Sequence, residues 1–220
     1  MEDLSLRICR SAHFDSLEMA NEAFRSPRLF AELRFDLSNI PLKSIVDLEF
    51  PKKTIFTFRP KSENFHRRLI AYNSAIEKEV DFIDLDFETD IELFRNLKAK
   101  LQRSSTQLIL SQHNYESTPD YMKLQENVLK AFDLGADIAK IISTPHSISD
   151  LDRIYSLYQR FDDLIAFGMG ELGKESRAKI LDLGAPFTYA AYSDKDLTAP
   201  GQMNFQQTED LYHRLKSENR

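Results

Sequence analysis

"GADIAKIISTP", residues 135–145, sets a lysine in the middle of an apolar run. Ile138, Ala139, Ile141 and Ile142 form a short apolar run between Gly135 and Pro145, the pattern of a buried strand. Lys140 interrupts that run. An ammonium taken from water into an apolar strand costs on the order of several kcal/mol unless it is paired or neutralised. A strand covered on both faces belongs to a parallel sheet with helices outside it. The rest of the chain has the rhythm such a sheet requires.

Short apolar runs recur at 4–11, 30–37, 54–60, 82–88, 107–114, 138–144, 164–169 and 187–193. Between them lie segments with apolar residues three and four apart, clearest at 63–79, 91–104, 121–134, 148–160 and 204–217. Shorter helices are expected near 16–25, 41–49 and 177–183. In "YMKLQENVLKAFDLG" (121–135), Met122, Val128, Leu129 and Phe132 can share a face, with Gly135 as the C-cap. Eight β–α repeats predict a single (β/α)8 TIM barrel spanning residues 1–220. The rival is an open doubly wound sheet. However, "GMGELGKES" (168–176) follows the seventh strand, where a dinucleotide fingerprint would follow the first.

Composition limits the functions available. A net charge of -6 argues against a general nucleic-acid binder, while leaving room for a local positive pocket. The single cysteine, Cys9, allows no internal disulfide and fits a reducing compartment. No run approaches the length of a signal peptide core or a membrane span. The expectation is a cytoplasmic protein acting on a small molecule, without membrane or nucleic-acid partners.

Barrel active sites lie at the C-terminal ends of the strands, and polar residues gather there. Glu32 and Arg34, two apart, point to one side, as do Asp84 with Asp86 and Ser111 with His113. Arg59 ends the third strand and Lys140 lies on the sixth. Each has a structural reading too. Glu32 and Arg34 can form an ion pair, the aspartates can cap the rim, His113 can be a hydrogen-bonded rim residue, and the Lys140 stem can reach the rim. Their convergence on one end favours chemistry. A lysine amine made neutral by burial and nearby cations can attack a ketone to give a Schiff base. His113, on the neighbouring strand, suits the base that takes the acidified proton. A carboxylate such as Glu63 or Asp84 can hold its tautomer, and the arginines can bind an anionic, hydroxylated substrate.

These segments resemble the type I 3-dehydroquinate dehydratases, in register along nearly the whole chain. "AELRFDL" (31–37) resembles the family's Glu-x-Arg-x-Asp strand. "TFRPKSE" (57–63) is similar to its Thr-Phe-Arg segment with a following glutamate, and "FIDLDF" (82–87) to its Asp-Leu-Glu strand. "SQHNYESTP" (111–119) resembles the catalytic-histidine segment and "GADIAKI" (135–141) the Schiff-base strand. "GMGELGKESR" (168–177) resembles the Met-Gly…Ser-Arg loop and "TAPGQ" (198–202) the lid.

The resemblance implies a hydro-lyase of the shikimate pathway of aromatic amino acid biosynthesis, which converts 3-dehydroquinate to 3-dehydroshikimate by syn elimination. It assigns the imine to Lys140 and general acid/base work to His113, with Glu63 and Asp84 orienting that histidine. Arg177 would bind the substrate carboxylate, and Glu32, Arg34 and Arg59 the ring hydroxyls. Gln202, with Thr198, would close over the ligand on a mobile loop. The alternative for that loop is a plain connection into the last helix, capped by Asn204. No metal or organic cofactor is implied, and a homodimer is common among relatives. The chain departs from the family pattern at Asn64 and Phe65, where two glycines are usual, and at Asn114, Asp86 and Thr198. Two other readings share parts of the pattern: another Schiff-base barrel such as a class I aldolase, and a non-catalytic anion-binding barrel.

Overall fold

The computed structural model describes residues 3–60 and 65–218. Eight strands pair in parallel: β1 (Ile8–Ala12), β2 (Phe30–Arg34), β3 (Lys53–Thr57), β4 (Phe82–Asp86), β5 (Gln107–Asn114), β6 (Ile138–Ser143), β7 (Leu164–Gly168) and β8 (Thr188–Ala191). Their order in the sheet is β7-β6-β5-β4-β3-β2-β1-β8. The helices are α1 (Leu17–Phe24), α2 (Phe65–Glu77), α3 (Ile91–Leu101), α4 (Tyr121–Leu134), α5 (Ile148–Ser156), α6 (Gly170–Gly173), α7 (Ser176–Leu183) and α8 (Phe205–Glu218). This is the expected (β/α)8 barrel. None of the helices among the described residues is long and apolar enough to cross a membrane.

Pairing of β8 with β1, from Ile8–Thr188 to Ser11–Ala191, curls the sheet round on itself. Side chains fill the seam between β7 and β8, where Ile165, Phe167, Phe187 and Tyr189 belong to one buried apolar cluster. Above the seam the two loops are joined: Gly170 N donates to Pro200 O at 3.1 Å. Gly201, at φ 71°, packs its α-carbon so closely on the Gly170 carbonyl that a Cβ would collide with it. Only glycine meets both demands there.

Several elements differ from the sequence expectation. The segment 41–49 forms a 3-10 turn, Leu42–Asp47, rather than an α-helix. It starts after Pro41 and buries only Ile45, too small an apolar face to hold two helical turns. The first strand starts later than expected, because residues 4–7 form a turn in which Arg7 N and Ile8 N both donate to Leu4 O. The third strand ends at Thr57. Beyond it the Tyr72 hydroxyl accepts from Phe58 N (2.9 Å) and donates to Asp84 O (2.9 Å), taking the place of ladder bonds. On α4, Gly135 is the expected left-handed C-cap at φ 104°. The buried face of that helix, however, is Leu124, Gln125, Asn127, Val128 and Ala131, while Met122 and Leu129 are exposed. Polar pairing causes the rotation, since Asn127 Nδ2 donates to Gln112 Oε1 on β5 at 2.6 Å.

Most of the core lies between sheet and helices. A second cluster fills the lower barrel: Cys9, Phe30, Ile55, Phe82, Ile109, Ile138, Ile165 and Phe187. Two residues further along, the inward positions turn polar at Ser11, Glu32, Thr57, Asp84, Ser111 and Lys140, all buried. The barrel is thus a dry plug under a polar floor.

One ion pair outside the barrel fixes that floor. Arg68 on α2 makes two 2.7 Å bonds to Asp90, before α3, and its Nε donates to Phe58 O at 2.7 Å. Asp90 also accepts from Asp86 N at 3.1 Å. The pair therefore holds the backbone next to Arg59 and at Asp86 together. Removing one partner of a buried pair leaves the other charge uncompensated. Arg68→Met is expected to lower unfolding free energy by about 3–5 kcal/mol, read from urea denaturation. A change within experimental error would show that the pair does not brace the barrel.

Candidate active site

Every inward polar side chain listed by the strand pattern opens onto, or lies beneath, a cavity of about 540 Å³ at the C-terminal mouth of the barrel. Its walls include Glu32, Arg34, Arg59, His113, Lys140, Arg177, Thr198 and Gln202. Asp84 lies under it and is fully buried. Glu63 falls outside the described residues.

The floor is organised around Asp84. Its Oδ2 accepts from Lys140 Nζ at 2.8 Å. Its Oδ1 accepts from Arg59 Nη2 at 2.8 Å and from Ser111 Oγ at 2.7 Å. Burial alone would push this carboxyl up, but the charges of Arg59 and Lys140 and the bonds from Lys140 and Ser111 hold it well below the usual carboxylate range. Strand register sets the geometry. Ser111 pairs with Lys140 across β5 and β6, so their side chains enter the barrel side by side from adjacent strands. This answers how the chain keeps a lysine in an apolar strand: a carboxylate two strands away neutralises it. The Lys140 ammonium also lies 3.9 Å from the centroid of the Tyr189 ring.

His113 stands two residues beyond Ser111 on β5 and enters the same space. Its Nδ1 is 3.7 Å from Asp86 Oδ2, an ion-pair distance, and Tyr115 stacks near its ring. Burial lowers its pKa below the ordinary histidine value; Asp86 opposes this, while the charges of Arg59 and Lys140 reinforce it. The imidazole is therefore held toward its neutral form. The expected Asp84–His113 support is redistributed: Asp84 bonds Lys140, Arg59 and Ser111, and the carboxylate beside His113 is Asp86. The reason lies in the strand register: Asp84 pairs with Ile109 and Asp86 with Ser111, so Asp86 is the β4 aspartate nearer the mouth, where His113 lies.

Glu32 and Arg34 do not form the mutual pair that their spacing allowed. Glu32 accepts from Thr57 Oγ1 at 2.8 Å and from Ser11 Oγ. Arg34 makes two bonds to Asp36, at 2.8 and 3.0 Å. Both remain on the cavity wall. Arg177 differs from the other arginines. Its guanidinium lies 4.4 Å over the Phe167 ring, and its Nη2 has a long 3.5 Å bond to Pro200 O. Its buried Nε has no protein partner, and no ion pair among the described residues includes it. Burial pushes its pKa down to about 10. A desolvated guanidinium without a carboxylate is arranged to receive an anion.

The loop after β8 covers one side of the mouth. Gln202 Oε1 accepts from Thr198 N and Thr198 Oγ1 at 2.7 and 3.1 Å. Asn204 accepts from Gln207 N at 3.0 Å, capping α8 as the simpler reading of this segment expected. Sequence reasoning missed Asp36, the role of Asp86, the Arg68–Asp90 pair and Tyr189. Ser11 and Thr57 could have been found, because both occupy inward positions late in their strands.

The whole chain has relatives. A model of the type I 3-dehydroquinase family matches residues 9–219. The chain is 31% identical to a 3-dehydroquinate dehydratase of Desulfotalea psychrophila, covering 96% of this chain and 98% of that protein. It is 32% identical to the enzyme of the same name from Pyrococcus abyssi, over 88% and 91% of the two chains. The fold is similar to that of a type I 3-dehydroquinate dehydratase from Clostridium difficile, with a TM-score of 0.79, 20% identity and coverage of 96% and 92%. With an eight-stranded parallel barrel and a family match over nearly its full length, this chain belongs to the type I 3-dehydroquinase family.

Proposed function

We propose that the barrel removes water from 3-dehydroquinate to give 3-dehydroshikimate, the shikimate-pathway dehydration, through an imine on Lys140. The observation that carries this reading is the buried Lys140–Asp84 pair at the floor of a cavity also lined by His113 and by Arg177, which has no carboxylate partner among the described residues.

The family resemblance supplies the sequence of steps, and the positions of Lys140 and His113 support it. The Lys140 ammonium passes a proton to His113 and the freed amine attacks the C3 carbonyl carbon; the alkoxide takes the second proton from nitrogen, and His113 returns its proton to that hydroxyl, which leaves as water as the iminium forms. The iminium draws electrons from the adjacent C–H bond, so neutral His113 can take the C2 proton. The resulting enamine expels the C1 hydroxyl, which leaves as water with the proton that His113 returns, on the face from which the first was taken. Water then cleaves the product imine and restores Lys140. Arg177 binds the substrate carboxylate. Glu32, Arg34 and Arg59 hold the ring hydroxyls, and Thr198 and Gln202 close over them, limiting premature hydrolysis. Asp86 steadies His113; the role of Glu63 in orienting the same ring rests on the family resemblance. We place the enzyme in the cytoplasm, on the strength of its lone, buried Cys9.

Three outcomes are expected. Lys140→Met should fold, since methionine suits an apolar strand, and should lose turnover by orders of magnitude; steady dehydration by the folded variant would exclude the imine. The pH profile of kcat/KM should rise through an ionisation below about 6.5, the ordinary histidine value, and stay level above it. This sign follows because the base must be neutral and burial lowers its pKa. His113→Ala should remove that limb and lower kcat by roughly 10²–10⁴-fold; an unchanged profile would assign the base elsewhere. Arg177→Lys should raise the Michaelis constant roughly 10- to 100-fold through loss of paired charged hydrogen bonds. An analogue without the carboxylate should be indifferent to that change, and equal losses for both would place Arg177 outside carboxylate recognition.

A further inference from the structure

We propose that the ring of Tyr189 acts directly on the reacting nitrogen, favouring the cationic imine over the neutral one. This rests on the assignment of the imine to Lys140. Tyr189 enters the barrel from β8, is buried, and lines the cavity. Its ring centroid is 3.9 Å from Lys140 Nζ, within the range over which an aromatic face attracts a cation. The same nitrogen is bonded to Asp84 on another side.

The chemistry gives this contact a task. When the amine condenses with the ketone, the C–O bond breaks, water departs and a C=N bond forms. Only the protonated C=N is a strong electron sink, so the positive charge must stay on the nitrogen until the C2 proton has gone. Asp84 alone is a poor guarantor of that charge, because it already compensates Arg59 and accepts from Ser111. A carboxylate beside an iminium can also take its proton. An aromatic face cannot: it stabilises the cation without accepting a proton.

No bond from the Tyr189 hydroxyl to the described residues holds the ring where it is. It is buried and meets no hydrogen-bond partner among the described residues. The ring is held by packing instead, with Phe187 at 5.7 Å between centroids. The contact with Lys140 is thus made by the face of the ring, and the phenylalanine variant separates that face from the hydroxyl.

The test is the initial rate of borohydride trapping of 3-dehydroquinate on Lys140, followed against pH by intact and peptide mass. Tyr189→Phe should trap within about twofold of the parent, since it keeps the ring. Tyr189→Leu should trap about tenfold more slowly, with the alkaline fall-off in trapping beginning at a lower pH than in the parent and kcat falling more than the Michaelis constant changes. Pentafluorophenylalanine at position 189 keeps the shape of the ring while reversing its face potential. It should behave like the leucine variant and guards against misfolding of the latter. Trapping by the leucine and fluorinated variants at the parental rate and pH would overturn the inference. So would equal losses in the phenylalanine and leucine variants, which would point to the hydroxyl or to packing. A parent protein that forms no Lys140 adduct would overturn the imine assignment itself, and this inference with it.

Discussion

The carboxylate of Asp84 is the constraint on which the rest of the site depends. It is fully buried, it sits at the centre of the polar layer, and it joins three strands or strand ends through Lys140, Arg59 and Ser111. A lysine or an arginine alone at this depth would be too costly to keep. One acid placed between two bases makes both tolerable. The hydroxyl of Ser111 fills a further acceptor site, so the floor carries few unmet polar atoms. The arrangement is pH-dependent. Because the folded carboxyl lies well below its unfolded value, its contribution to stability is complete above about pH 4 and is lost as pH falls through the folded value.

Around this floor the arginines divide by what already compensates them. Arg34 is engaged by Asp36, Arg59 by Asp84, and Arg68 by Asp90. The first two line the cavity, and the third stands behind the wall, fixing the backbone at Phe58 and, through Asp90, at Asp86. Among the described residues, Arg177 lies over an aromatic ring with one long bond to a carbonyl. The gradient runs from arginines paired with carboxylates to one without such a pair among the described residues, the arrangement on which the proposed carboxylate recognition rests. The placement of the loop at the mouth rests on backbone fit rather than charge. Gly201 and Gly170 meet at a distance no side chain permits, and this sets the loop that carries Thr198 and Gln202 against the rim.

Much of this was legible in the sequence because barrel strands alternate strictly. Once the eight apolar runs were in phase, inward positions followed, and Glu32, Arg34, Asp84, His113 and Lys140 fell on them. What was not legible depended on contacts between distant elements. Spacing on β2 put Glu32 and Arg34 on one side but could not show that Thr57 and Asp36 would take them separately. The rise of the barrel between adjacent strands, invisible in any single strand, decided that Asp86 and not Asp84 meets His113. Tyr189 read as one more apolar residue of the last strand, since an aromatic ring reveals its cation only when the opposite wall is in place. Met122 and Leu129 misled for the converse reason: α4 turned to satisfy Asn127 and Gln112, and its apolar spacing gave way.

The most direct test of the account is the mass of the unmodified protein after incubation with 3-dehydroquinate and borohydride. The account predicts a single stable adduct, with the added mass of a reduced imine of substrate or product, on the peptide that carries Lys140. No adduct in a protein that turns the substrate over, or an adduct on any other lysine, would contradict it.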